Sequence, residues 1–363
     1  MSKVKITGNT SGTGVFTIEA PGTNNPRTIT LPDSTGTLLN SDGRNIVING
    51  GFDVWQRGTS FTSLSYYQKY ADRWMGDAHS SGNNTISRQA GTASEPFYYY
   101  LRFQRDSGQT VTGIRRVGTV FESQDTSSIC GQEVTLSWYM RKGANWSPAS
   151  DTVTSYIFTG TGNDQGMASG LGSGWTGFAQ QTQSNTVTTS WVRFTHTVTL
   201  SATATQVGIN FATPASVGTA GAADSWDISG IKLELGGVAT PFESKGYGEE
   251  LRDCQRYYQT KGMGLIGGLE SSSATTGTWR TGFTFHPEMR TSPTAGVLSG
   301  QITYNRPGLA AHASISNVIP WNSNSTTKGT VMGVGNYNLS GGAGGDLGII
   351  SAGGNQFTFD AEL

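Results

Sequence analysis

Two tryptophans sit in loops where a core role is hard to assign. They are Trp146, in Lys142-Gly-Ala-Asn-Trp-Ser-Pro148, and Trp175, in Gly172-Ser-Gly-Trp-Thr-Gly177. A flat ring among small polar residues is the chemistry of sugar binding: a pyranose stacks on the ring and a few polar groups fix its orientation. Trp321 and Tyr337 are two further aromatic candidates, the second inside the run Gly333-Val-Gly-Asn-Tyr-Asn-Leu-Ser-Gly-Gly-Ala-Gly-Gly345. Glycines there permit tight loops and close backbone approach, which suits an exposed tip.

Cleavage of a polysaccharide commonly needs two carboxylates facing each other across a groove, about 5 to 10 Å apart. Asp151, Asp164, Asp224 and Asp227 are the candidates, and they sit among loops with no recognisable motif. No Ser-His-Asp, Cys-His, metal-helix or phosphate-loop arrangement stands out, so the chain reads as a non-enzyme. The pattern Gly172-x-Gly174-x-x-Gly177 lacks the preceding strand and following helix of a dinucleotide fingerprint and reads as a β-loop. His196 shares a strand face with Val192, Phe194, Val198 and Leu200, which predicts a hydrogen-bonded core histidine. Cys130 and Cys254 have no Cys or His neighbours at ligand spacing, which predicts two buried free thiols.

The elements that must hold these residues are β-strands. At 363 residues the chain is long enough for two or three domains, and charged residues make up only 13% while Gly numbers 51. The formal net charge of -1 supplies no global field for nucleic acid or an acidic membrane surface. The start, Met-Ser-Lys-Val-Lys, leads into no apolar stretch, and no run approaches the roughly 20 residues that span a bilayer. A soluble protein without an export signal is the expectation. Val134, Leu136, Trp138 and Met140 alternate with Thr135, Ser137 and Tyr139, placing one face on a core and the other toward solvent or a partner. Val207, Ile209 and Phe211 repeat the pattern, and no helical period appears from Asn45 to Glu243. An all-β, antiparallel jelly-roll-like sandwich over residues 45–245 is the natural architecture. Before it, residues 1–44 hold two short β-type runs, Val15-Phe-Thr-Ile18 and Thr28-Ile-Thr-Leu31, too little to be stable alone. After it, Leu251, Cys254 and Tyr258 mark one helix within residues 246–262, and β character resumes over 263–363.

Several segments carry a resemblance. Asn49-Gly-Gly-Phe-Asp-Val-Trp-Gln-Arg-Gly-Thr-Ser-Phe61, Tyr70-Ala-Asp-Arg-Trp74 and Ile231-Lys-Leu-Glu-Leu-Gly-Gly-Val-Ala-Thr-Pro-Phe-Glu243 resemble a module of tail fibres and tail-tip proteins of tailed bacteriophages. Glu249-Glu-Leu-Arg-Asp-Cys-Gln-Arg-Tyr-Tyr258, the Phe285-x-x-x-Met289-Arg-x-x-Pro-Thr294 segment and the ending Gln356-Phe-Thr-Phe-Asp-Ala-Glu-Leu363 are similar to later parts of such proteins. The sandwich also resembles jelly-roll carbohydrate-binding modules, in which the first and last strands pair and a carboxylate from each end often helps to hold a structural calcium. The resemblance places Asp53 and Asp227 at those positions, and puts Trp55, Trp74 and Trp138 in the core. It implies a non-catalytic virion tail protein, assembled in the bacterial cytoplasm and anchored through residues 1–44 to other tail proteins. It also implies a homotrimer that binds host surface polysaccharide or lipopolysaccharide. Two alternatives stay open: a purely structural virion component, and a polysaccharide-degrading tailspike.

Overall fold

The computed structural model describes residues 43–62, 64, 67–78, 83–167, 174–262, 269–271, 276–297, 302–305, 313–315, 318–320, 326–338, 349–351 and 356–363. All lie in the second of two units into which the chain divides, Leu39–Leu363. The strand runs expected at residues 15–18 and 28–31, with all of the attachment region 1–44 except residues 43 and 44, fall outside the described residues.

Twelve strands build the sandwich: β1 (Ser60–Thr62), β2 (Gln68–Lys69), β3 (Met75–Ala78), β4 (Asn84–Ala90), β5 (Tyr99–Arg105), β6 (Arg115–Val120), β7 (Glu133–Lys142), β8 (Thr152–Gly160), β9 (Ala179–Thr186), β10 (Val192–Thr199), β11 (Gln206–Ala212) and β12 (Ser225–Leu235). They pair antiparallel into two six-stranded sheets, β1-β4-β5-β12-β7-β10 and β2-β3-β6-β11-β8-β9. Neighbours in space come from distant parts of the sequence, as a jelly-roll-like sandwich requires. Inward side chains of the two sheets form one core in which Trp74, Trp138 and Trp226 are fully enclosed. Trp55 is also buried, as expected, although it lies before β1 and not on a strand. His196 lies inside with its Nδ1 3.1 Å from Ser155 Oγ, and burial pushes its pKa below the usual histidine value. The core histidine is therefore as the alternation implied.

The period-2 reading needs one refinement. Both faces of β12 are buried, because the chain leaving it turns back over the outer face. Glu234, with no exposed surface, accepts from Thr240 N at 2.8 Å and Thr240 Oγ1 at 2.6 Å, and pairs with Lys232 at 3.2 Å. Thr135 and Ser137 of β7 are closed off in the same way, so the outer face is buried at these two positions. A β-bulge between Ser229 and Lys232 carries Gly230 at φ +59, a conformation that favours glycine. The first and last segments do run together. Ile46 N donates to Leu233 O and Ile231 N to Gly50 O, both at 3.0 Å, and a side chain at Gly50 would collide with Ile231 O.

Among the described residues two helices occur, α1 (Ser123–Thr126) and α2 (Tyr247–Gln255). The helical expectation for 246–262 thus shortens to nine residues, since Tyr258–Gly262 forms β13. β14 (Leu269–Ser271), β15 (Thr276–Thr284), β16 (Thr294–Val297), β17 (Ile302–Asn305), β18 (Ala313–Ile315), β19 (Val318–Pro320), β20 (Gly329–Asn338), β21 (Ile349–Ser351) and β22 (Gln356–Asp360) follow. They pair as β13-β22-β16, β14-β15-β20-β19 and β18-β17-β21. Phe285 and Phe359 meet at 4.8 Å and Met289 is buried beside them in sequence, so the Phe285-to-Thr294 segment supplies interior.

The conspicuous motifs converge on one place. Asn49, fully buried at φ +57, bonds Val54 and the Asp72 carbonyl through its side chain, receives Trp74 Nε1 at its carbonyl, and donates its amide to Glu250 of α2. Arg57 ion-pairs with Asp360 at 3.0 Å, Glu362 at 3.5 Å and Asp72 at 3.6 Å. Arg73 donates to Glu362 and to Val120 O. Each guanidinium lies 3.6 Å from a tyrosine ring centre, Arg57 on Tyr258 and Arg73 on Tyr257. Arg256 adds a bidentate pair to Glu122 at 2.8 and 2.9 Å.

Burial alone would raise the Glu362 pKa, but Arg73, Lys69 and Arg57 together hold it down, to about 2. A carboxylate depressed on folding stabilises above its unfolded pKa, near 4.3, and that contribution is lost as pH falls from there toward 2. Asp72 acts in the opposite sense: burial, outweighing Arg57, lifts it to about 6, so its contribution declines as pH rises from about 4 to 6. Glu362→Gln leaves Arg73 buried without its counter-charge and should cost about 3–5 kcal/mol at neutral pH. In urea denaturation the gap between wild type and variant should close between about pH 4.3 and pH 2. A gap independent of pH would contradict this assignment.

Candidate functional site

The outer face of β5, β12 and β7 carries a strip of charge beside a group of aromatic rings. Asp227 of β12 stands directly between Arg102 of β5 and Arg141 of β7 in the two strand registers. Cross-strand neighbours at this spacing meet side chain to side chain. Arg102 donates Nε to Oδ1 at 2.8 Å and Nη2 to Oδ2 at 2.9 Å, and Arg141 donates Nε to Oδ2 at 2.8 Å. The carboxylate is 3% exposed, while the two arginine side chains keep 31% and 25% of their surface. Two fixed guanidiniums therefore face solvent above one saturated carboxylate, with Arg102 Nη1 making no hydrogen bond among the described residues.

The loop before β5 folds back over this face, tied by Gly91 N to Tyr98 O at 2.8 Å. It brings Phe97 down as a buried wedge against Trp191 at 4.8 Å, Tyr139 at 5.8 Å and Tyr100 at 6.5 Å. Glu95 receives Trp191 Nε1 and lies 3.5 Å from Arg141. The Arg141 guanidinium covers Trp191 at 4.6 Å and Tyr100 at 5.1 Å and donates to Tyr100 Oη at 3.0 Å. Tyr99 is held by Arg88 at 4.3 Å. Tyr98 is left 71% exposed, standing edge-on to Tyr99 at 4.7 Å. Chemically, the face carries N–H donors whose positions are locked and the loop folded over it carries an open aromatic ring, two features suited to a stacked, hydroxyl-rich ligand.

The residues singled out from sequence fare differently. Trp175 is 5% exposed, packs on Phe158 at 5.0 Å and donates Nε1 to Gly166 O at 2.9 Å, so it offers no stacking surface. The ring lies on the outer face of the second sheet, in a cluster with Met75, Val120 and Met167. Trp146 is half-buried against the main core with Nε1 bonded to Ser150 O. Trp321 lies outside the described residues, and Tyr337 is placed on β20 opposite Gly277.

Asp227 is paired with arginine and does not present its oxygens as calcium ligands, which corrects the expectation that it joins Asp53 at a cation. Among the described residues no group of three or more His, Cys, Asp or Glu could hold a metal ion. For Asp53, burial outweighs Arg88 and raises the pKa. Asp224 is buried on Arg105 at 3.4 Å and Ser147, Asp164 receives Ser123 N at 2.8 Å, and Asp151 pairs with Lys142. Gly177 turns at φ +60 into β9, so the glycine pattern leads to a strand and not to a helix. Cys254 is buried and Cys130 half-buried, both as free thiols.

No protein-family model matches the chain, and no curated protein is similar to it. Among solved structures it is similar to the enzymatically active domain of tailspike protein 4 of bacteriophage CBA120, at 12% identity and TM-score 0.33, over 53% of this chain and 21% of that one. TmCBM61 in complex with β-1,4-galactotriose aligns at 11% identity and TM-score 0.29, over 53% of this chain and 99% of its own. A cyclase from Fischerella sp. TAU aligns at 13% and 0.32, over 55% and 99%. A phage tailspike domain and a carbohydrate-bound module thus stand beside a cyclase. At these scores neither fold nor activity follows from the likeness, and the sandwich rests on its own strand registers.

Tyr98, Arg102, Arg141 and Trp191 were not singled out from sequence. The signal was present as Phe97-Tyr-Tyr-Tyr100, four consecutive aromatics in a chain with 10% aromatic residues. Phe97 and Tyr100 are buried against Trp191 on the outer face, and Tyr98 is left exposed. No helix among the described residues is long and apolar enough to cross a membrane.

Asp227→Asn should lower stability by about 1.5–3 kcal/mol through loss of charge-assisted bonds, whereas EDTA should leave the thermal midpoint unmoved. A fall on EDTA that added calcium reverses would return the site to a metal role.

Proposed function

We propose that the sandwich is a glycan-binding domain and that the chain is a non-catalytic, receptor-binding part of a phage tail, a fibre or tail-tip protein. The observation that carries the glycan reading is the open Tyr98 ring, on the loop that folds over the face where Arg102 and Arg141 are immobilised. Rings stack a pyranose at little entropic cost, and preset donors then select among hydroxyl arrangements. The non-catalytic reading is supported by the four candidate carboxylates, each of which is engaged by a cation or a backbone amide instead of facing a second carboxylate across a groove. The tail assignment is supported by the sequence resemblance of residues 49–61, 70–74, 231–243, 249–258, 285–294 and 356–363. With it go attachment to other tail proteins through residues 1–44, a homotrimeric state, a place in the virion, and polysaccharide or lipopolysaccharide as the receptor.

An array of bacterial surface glycans tests the reading. The full chain should be retained by a discrete set of them, and Tyr98→Ala should weaken that retention about tenfold, the equivalent of about 1.4 kcal/mol. Retention by no glycan, or undiminished retention of the variant, would contradict it. Binding to virions without binding to glycans would favour a purely structural component.

A further inference from the structure

A cleft of about 350 Å³ opens between the rim of the sandwich and the C-terminal sheet β13-β22-β16. It lies on the small side of ligand sites, about 300–1,000 Å³. Its walls come from both bodies: Phe61 of β1 and Lys69 of β2 on one side, Thr294 of β16 and Asp360 of β22 on the other, with Arg57 and Tyr258 at the back. Clefts between two packed bodies are common ligand positions, because both supply side chains without leaving their folds.

One cation in this cleft has unfilled N–H capacity. The Lys69 side chain makes no hydrogen bond and no ion pair among the described residues, although burial, chiefly, depresses its pKa, with Glu362 and Asp360 acting against that. Arg57, 10% exposed, is committed within the protein, its Nη2 to Asp360 and Glu362 and its buried Nη1 to Asp72 at 3.6 Å. A partly desolvated ammonium that donates to nothing is costly to keep, and a ligand oxygen would relieve that cost. The rim adds the opposite chemistry. Asp360 keeps 41% of its side-chain surface and is an acceptor, Thr294 is exposed, and Phe61 is a half-buried ring packed on Tyr70 at 5.1 Å. A carboxylate at the rim repels a small multiply charged anion but accepts hydroxyl donors, so the lining fits a singly charged ligand rich in hydroxyls.

We propose that this cleft binds an acidic sugar, with the sugar carboxylate on Lys69, its hydroxyls on Asp360 and Thr294, and its ring against Phe61. The site rests on the reading of the chain as a glycan binder but uses none of the residues around Tyr98. The framework that shapes it is the same set of ion pairs that joins the two bodies.

Calorimetry on the full chain tests this, with the singly charged galacturonate and glucuronate as probes beside neutral galactose and inorganic phosphate. At least one uronate should bind at least tenfold more tightly than galactose and phosphate. Lys69→Met should weaken that binding tenfold or more while unfolding in urea as cooperatively as wild type, Lys69→Arg should restore part of it, and Ala295→Trp, which fills the cleft, should abolish it. Tyr98→Ala should leave it unchanged. No binding of either uronate, equal binding by Lys69→Met, or phosphate binding as tightly as the uronates would overturn the proposal. Loss of uronate binding in Tyr98→Ala but not in Lys69→Met would move the acidic sugar to the other face, overturning the cleft while sparing the glycan reading.

Discussion

A guanidinium out of contact with water needs a carboxylate, and Arg73 finds one in Glu362, 289 residues away. This pair, with Arg57, Asp72 and Asp360, is where strands of the sandwich, the segment after α2 and the last strand of the chain meet. Tyr257 and Tyr258 cover the two guanidiniums, and Ala361 N donates to Tyr257 O at 2.8 Å, so main chain and side chains lock the same joint. Buried ion pairs contribute little net stability against an apolar alternative but are costly to break singly. What this arrangement provides is position: it fixes β22 against the sandwich, and the cleft beside Lys69 exists because of that.

A second charged arrangement does comparable work on the opposite kind of surface. Arg102, Asp227 and Arg141 lie side by side across three strands, half in solvent. Their mutual bonds immobilise long side chains that would otherwise lose entropy on meeting a ligand. The same Arg141 rests on Trp191 and Tyr100, so the aromatic and charged parts of the face are held by one another. Tyr98 is the exception, with no comparable restraint on its open ring. That asymmetry is why recognition is assigned there.

The sandwich and its core were legible because alternation in β7, β10 and β11 reports burial directly: Trp138, Leu136 and Ile209 are inside as their spacing implied. The pairing of the Asn49 and Ile231 segments was legible through resemblance, and the structure shows it in bonds from Ile46 and Ile231. The common destination of the motifs was not legible, since Arg57 and Asp360 are 303 residues apart and nothing local to either encodes the other. Trp175 misled for a related reason. Its neighbours are loop residues, but the ring lies on a second apolar surface, and exposure is a property of that packing. Asp227 misled because a carboxylate at a strand end reads alike whether it awaits a cation or two arginines.

Hydrogen–deuterium exchange of the full chain, with and without a glycan it retains, tests the central claim most directly. The account predicts added protection in residues 97–102, 139–142 and 191–193, with the β12 amides slow in both states. Protection confined to other segments, or none anywhere at saturating glycan, would contradict the placement of recognition on the Tyr98 face.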